Sequence, residues 1–358
     1  MSTLQQSIAA LNPAYFALVM ATGIVSLACN LLGMPLVALL LFRLNIVLAL
    51  VLTVLTALRV VLFPRRFFAD LIDHNRSVGF FTTVAAYCVL GVQFLLIARL
   101  PMFSQVLWGI GAGLGFVLTY TIFTSLAVKK DKPSLPHGIH GGWLVSVVAG
   151  QGVSLLGSML AQEFGIYREQ MLFFSLCLWL ANAMLYGWII CLIFYRYSFF
   201  PLSATELSPP YWINMGAMAI STLAGVSLIS VSEGSTTLQL FLPAIRGFTL
   251  LFWATATWWI PMLLALGFWR HGYMRFQMAY DPQYWGVVFP LGMYTVCSYR
   301  LAVEFNFPFL MPLPEMFVYI ALAAWTVTFI AMLRSLISQA WPRAAKKAPA
   351  EPAVTSRP

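Results

Sequence analysis

His137 and His140, in "LPHGIHGGWL", are the one pair of histidines close enough in sequence to share a metal ion. With His74 and His271 they would complete a histidine zinc site on polar loops. No cysteine stands beside them: Cys29, Cys88, Cys177, Cys191 and Cys297 all fall inside apolar stretches, which leaves neither a disulfide framework nor a paired metal motif. With Gly138, Gly141 and Gly142 around it, the pair suits a hinge and cap for the apolar segment that follows. Protonation of His140 would then act on its surroundings below neutral pH. Neither a metal nor a cofactor is expected. Enzyme chemistry is no better served, because paired carboxylates and a Ser/His/Asp set at one depth are both missing. The Gly-rich "GIGAGLGF" at 109–116 lies inside an apolar run with no strand before it, so it is not a nucleotide fingerprint. What remains is uncharged: the amides of Gln151 and Asn214, scattered hydroxyls, and "YWGVVFPLGMYTVCSYR" at 284–300, where Phe289 abuts Pro290.

The elements that hold these residues are set by composition. A chain of 358 residues with 61% hydrophobic and 9% charged residues is not a soluble globule, whose charged share is about 25%. Its mean hydropathy of +0.86 places it in a bilayer. A helix needs about 20 apolar residues to cross the hydrocarbon. Ten segments qualify, at 14–32, 44–63, 78–98, 104–128, 142–160, 171–195, 209–230, 247–269, 283–300 and 315–338. The runs are too long and too uniform for a β-barrel. The first segment has no basic leader and no small-residue cleavage site, so it is expected to stay in the mature protein. Residues 1–340 then form a single ten-helix transmembrane domain, and the Pro-, Ala- and Lys-rich residues 341–358 a disordered tail.

Charge sets the orientation. Fifteen of the twenty basic residues fall on the side that would hold both termini, while Arg43, Arg99, Arg168, Arg246 and Arg300 fall on the other. The positive-inside rule puts both termini in the cytoplasm, and the compact loops suggest a bacterial inner (plasma) membrane. The net charge of +9 is thereby explained without nucleic acid. Lys129, Lys130 and Lys132 fit the same topological role, with drawing anions to the inner mouth as a second one.

The odd-numbered spans repeat. Each opens on an aromatic residue, Phe16, Phe80, Trp143, Trp212 and Trp285, at intervals of 64, 63, 69 and 73 residues. That interval is two membrane helices with their loops. Repeats of one orientation pack around an axis along the membrane normal, so five helical hairpins in a ring are expected. The odd spans are rich in Gly, Ala, Ser and Thr and hold Gln151 and Asn214, whereas the even spans are mostly Leu, Ile, Phe and Trp. Buried amides need partners or water, which favours the odd helices inside. Small residues also let helices pack closely, which competes at any single position.

No ionisable group lies near the middle of a span, which argues against a proton relay and for a passive conduit. Pro290 leaves the carbonyl of Gly286 without its helical partner, so the ninth helix should bend there. Phe289, beside the bend, would either plug the pore or pack against a neighbouring helix. The pore-lining candidates are the polar or motif-bearing residues of the odd spans: Phe16, Thr22, Ser26, Thr83, Tyr87, Gln151, Ser154, Asn214, Thr222 and Thr295.

"FALVMATGIVS", "HGIHGGWLVSVVAGQGVSLLG", "LSPPYWINMGAMAISTLAG" and "YWGVVFPLGMYTV" resemble the tellurite-resistance/dicarboxylate transporter family, the superfamily of slow-type, voltage-dependent anion channels and malate permeases. The resemblance spans about residues 10–340. It implies an all-α polytopic membrane protein of ten transmembrane helices, arranged as five helical hairpins in a quasi-fivefold ring around a central pore. It also implies a homotrimer with one pore per subunit and an occluding phenylalanine that matches Phe289 in "VVFPLG". Where close relatives have "HGINGxW", this chain has His140 in place of Asn. The expected function is passage of small anions, C4-dicarboxylates such as malate first. An exporter of sulfite or tellurite-related oxyanions and a proton-coupled dicarboxylate carrier are the alternatives. The expected partners are a small anionic substrate, the lipid bilayer and copies of the same chain.

Overall fold

The computed structural model describes residues 3–340; the tail expected at 341–358 lies outside the described residues. Among the described residues the chain is helical throughout, with no strand. We number the membrane helices α1 (Ala17–Leu31), α2 (Pro35–Leu62), α3 (Phe81–Gln93), α4 (Pro101–Val128), α5 (Val145–Leu160), α6 (Arg168–Phe199), α7 (Ile213–Ser230), α8 (Thr236–Phe268), α9 (Trp285–Glu304) and α10 (Pro312–Ala340). Among the described residues nine segments are long and apolar enough to cross a membrane, and one of them, Gly141–Phe199, is broken at Gly165 into α5 and α6.

Each hairpin is closed by one residue in the left-handed region: Gly33 (φ 79°), Arg99 (φ 56°), Gly165 (φ 53°), Gly234 (φ 72°) and Asn306 (φ 54°). Such a residue ends a helix and lets the chain reverse. Prolines at the first helical position then start α2 and α4, where the missing N–H would have had no partner anyway. The reversals define one end of the bundle, called distal here; the starts of the odd helices define the proximal end.

The layers follow the small-residue pattern. Of the segment carrying α7, 94% is buried, against 11% of α4. The odd helices form the inside: α1 packs on α3, α3 on α5, α5 on α7, α7 on α9, and α9 back on α1. The even helices present Leu, Phe and Trp outward, with Leu36, Phe116, Trp188 and Phe268 all exposed. Polar side chains tie the layers together. The Asn45 amide on α2 donates to Gln93 Oε1 on α3 at 2.7 Å, and Trp179 on α6 donates to the Ser221 carbonyl on α7 at 2.8 Å. In hydrocarbon such groups have no water to turn to.

Three boundaries differ from the sequence expectation. The helices α2, α8 and α9 run through Arg43, Arg246 and Arg300, which charge alone assigns to loops. Arg43 and Arg246 are exposed near the distal ends of outer helices, where a long stem can carry the charge to the interface. Charge ends a hydropathy run before it ends a helix.

At the proximal end, ion pairs brace the loops. Arg59 and Arg76 share Asp70, at 2.5 Å and 3.0 Å, and Arg196 pairs with Glu206 at 3.4 Å while also donating to the Tyr211 hydroxyl.

Candidate anion pathway

Every odd helix begins with a tight 3₁₀ turn: Pro13–Phe16, Ser77–Phe80, Gly141–Leu144, Pro209–Trp212 and Pro282–Tyr284. Three of these turns are capped alike. Asn12, His140 and Asp281 each accept the N–H two residues on, at 3.0, 3.1 and 2.8 Å. Side chains of this kind fix the entry of the chain into the helix. His140 accepts through Nδ1, the same acceptor position that an Asn side-chain oxygen supplies at Asn12.

The five turns surround a cavity of about 310 Å³, into which Ala17, Thr82, Val145, Ile213 and Gly286 contribute, one from each odd segment. A second cavity, of about 190 Å³, is lined by Ile24, Val89, Leu155, Leu223 and Met293, again one from each. Within every helix the two contributions lie seven or ten residues apart, about 10–15 Å along the axis. Both cavities therefore face the same interior, one toward the proximal end and one toward the distal end.

Along α9, Phe289 and Pro290 fall between the residues that line the two cavities, and neither lines one itself. Phe289 lies three residues after Gly286 and four before Met293, a spacing that keeps all three on one side of α9, and it is 1% exposed. Pro290, the next residue, turns to α7: a Cβ on Gly216 would come within 2.8 Å of the proline ring. The glycine at 216 thus leaves room for the proline, and the proline sets the side of α9 that Phe289 occupies.

The cavities differ in charge. Helix N-termini carry a partial positive charge and C-termini a partial negative one. The proximal cavity collects five N-termini, and its two charged lining residues, Arg76 and Glu206, are already paired with Asp70 and Arg196. The Ser203 N–H and hydroxyl hold the Glu206 carboxyl below the usual range. The distal cavity faces the carboxyl ends of the same helices, and its one charged lining residue is Arg300. Arg300 forms no ion pair among the described residues; Glu304, a turn away, accepts instead from Ser230 at 2.6 Å.

The polar residues singled out from sequence go elsewhere, and none of the ten lining candidates reaches either cavity. Thr22 accepts from Trp325 on α10 at 3.0 Å; Ser26 donates to the Ala38 carbonyl on α2 at 2.7 Å. Tyr87 shares a hydrogen bond with Thr53 on α2 at 2.8 Å, and Phe16 packs edge-on against Tyr87. Gln151, Ser154 and Asn214 donate to Trp179, Ser175 and Tyr197, all on α6. Thr222 and Thr295 bond carbonyls of their own helices, those of Met218 and Leu291, and Thr83 is partly buried away from both cavities. Most of these side chains donate to an outer helix or to their own backbone, which supply the acceptor that lipid lacks, while Gln151 Oε1 and Asn214 Oδ1 stay buried without a hydrogen-bond partner among the described residues. The residues that do line the cavities are mostly small or apolar. Sequence reasoning missed them because it searched for polarity; the usable signal was the seven-residue step from Gly286 to Met293 around Phe289.

The model of the voltage-dependent anion channel family matches residues 10–333. The chain belongs to that family. An uncharacterised transporter of Methanocaldococcus jannaschii is 25% identical over 342 residues, 94% of this chain and 97% of that protein. A sulfite efflux pump of Arthroderma benhamiae is 22% identical over 345 residues, 89% of this chain and 88% of the pump. An uncharacterised membrane protein of Mycobacterium tuberculosis is 38% identical over 152 residues, 42% of this chain and 77% of that protein. The family is one of anion channels, and two of these relatives are named as a transporter and an efflux pump, which supports anion transport by a multi-pass membrane protein.

His140 also bears on pH. Burial, with Arg196 as a nearby positive charge, lowers its pKa to about 4 from an ordinary 6.5. The folded protein therefore resists a proton that the unfolded chain accepts. Stability is full above about pH 6.5 and falls as pH drops from there toward 4. Between pH 7.5 and 5.5 the ring stays neutral, contrary to the expected action below neutral pH, so His140→Asn should leave the pH profile of transport unchanged. A shifted midpoint in proteoliposome flux would show that the histidine titrates in that range after all.

Proposed function

We propose that the five odd helices form a quasi-fivefold ring around a conduit for small anions, with the proximal and distal cavities as its two mouths and Phe289 as the plug between them. The observation that carries this is the pairing of cavities: each draws one residue or more from all five odd segments, and Phe289 sits on the intervening turns of α9. Five helix N-termini make the proximal mouth attractive to anions, and Arg300 offsets the carbonyl ends at the distal one. Both termini are cytoplasmic in this reading, so the proximal mouth faces the cytoplasm of a bacterial inner membrane. The assembly is a homotrimer with one conduit per subunit.

C4-dicarboxylates such as malate are the first substrate class, on the strength of the motif resemblance. Sulfite is the second, supported by the fungal sulfite efflux pump that aligns over most of its length. Neither requires coupling to protons, since no ionisable group lies between the cavities on α9. Efflux of labelled malate and of sulfite from proteoliposomes, with and without a pH gradient, separates these readings. The conduit predicts flux down the anion gradient alone; flux that follows the pH gradient would instead establish a proton-coupled carrier.

A further inference from the structure

Three arginines are almost wholly buried: Arg59 and Arg196, each 3% exposed, and Arg270, 8% exposed. The first two have carboxylate partners in Asp70 and Glu206. Arg270 has none. Its guanidinium lies over the Phe276 ring, 4.3 Å from the centroid, and its Nε has no hydrogen-bond partner. A buried guanidinium without a counter-charge is costly, and stacking on an aromatic face leaves its edge N–H groups free for an anion.

Arg270 lines a groove of about 640 Å³ that no carboxylate reaches. The groove runs between α8, α9 and α10 on the outer side of α9, meets the proximal cavity only at Ser208, and has as its walls Leu263, Gly267, Val287, Ala324 and Val327. Val327 is 68% exposed, so the groove opens outward, toward the lipid. Arg270 sits two residues past the end of α8, at the proximal end where Tyr211 and Tyr284 also border the groove. A cation at that level with an apolar trough running from it into the membrane has the layout of a headgroup and tail.

We propose that this groove holds one anionic phospholipid, its phosphate on the edge of Arg270 and one acyl chain along Gly267, Val287 and Ala324. Val287 and Val288, both in the groove wall, immediately precede Phe289. The acyl chain would therefore lie against the turn of α9 that leads into Phe289.

The test uses the purified full chain reconstituted in equal phosphatidylglycerol and phosphatidylcholine, then delipidated, with bound phospholipid counted by mass spectrometry. The parent should enrich phosphatidylglycerol about fivefold, the effect of one basic residue near a membrane surface. Arg270→Gln should abolish the enrichment, while Arg275→Gln, which removes an exposed charge from the same loop, should keep it. Gly267→Trp serves where Arg270→Gln misfolds: a Cβ there meets nothing within 4 Å, so the indole fills the groove without displacing the backbone. It should lower retention of either phospholipid with Arg270 intact. Equal enrichment in the parent and Arg270→Gln overturns the proposal. So does a lipid-free parent in which cross-links place a second copy of the chain over Val327.

Discussion

Phe289→Ala should convert a nearly silent protein into one that conducts anions continuously. The ring occupies the only turns of α9 that separate a residue of one cavity from a residue of the other, and it is 1% exposed. Swinging it aside by one χ1 rotation costs on the order of 1 kcal/mol off a preferred rotamer, plus the packing it leaves behind. A closed state favoured by about 1.4 kcal/mol outweighs the open one tenfold, so removing the ring should raise current by about tenfold or more. The same change removes a buried aromatic, which costs about 3–5 kcal/mol in a packed core, so the variant should also melt earlier. Planar-bilayer recordings in chloride, nitrate, sulfite and malate would read the first effect and thermal unfolding in detergent the second. Phe16→Ala is the matched control. Phe16, also buried at 3% exposed, packs on Tyr87 and precedes Ala17, so it does not fall between the cavity-lining residues Ala17 and Ile24 of its own helix and should lose stability and gain no current. A silent Phe289→Ala that unfolds earlier would make Phe289 a packing residue like Phe16.

The ten helices and their division into inner and outer layers were legible because bilayer thickness and side-chain size act over whole spans, where errors of a residue or two cancel. Which way each inner side chain points was not. Ser26, Gln151 and Ser154 attract notice as polar groups in apolar runs, yet that polarity is why they turn outward to the carbonyls of Ala38, Trp179 and Ser175. A hydroxyl facing a narrow interior must find water there, whereas the backbone of a neighbouring helix is always within reach. Arg300 was misplaced for the opposite reason: its charge looked like the end of a span, although α9 continues to Glu304.

Arg300 carries the second large effect. It is the one charged residue lining the distal cavity, where the carboxyl ends of the odd helices otherwise present partial negative charge to an incoming anion. At about 8 Å and an effective dielectric near 20, one unit charge contributes about 2 kcal/mol to a permeating ion. That corresponds to about thirtyfold in local anion occupancy. Measured in the Phe289→Ala background, where flux is not limited by the plug, Arg300→Gln should lower anion current by about that factor at low ionic strength. The loss should shrink at high salt as the charge is screened, by an ionic atmosphere about 3 Å thick at 1 M. Arg300→Lys should retain most of the current, because attraction at a wide mouth needs a charge more than a planar fork. Reversal potentials in a salt gradient give the decisive comparison. If Phe289→Ala and Phe289→Ala/Arg300→Gln share one reversal potential and one conductance, the selecting field comes from the proximal helix termini alone, and Arg300 serves only to anchor the ninth helix at the membrane surface.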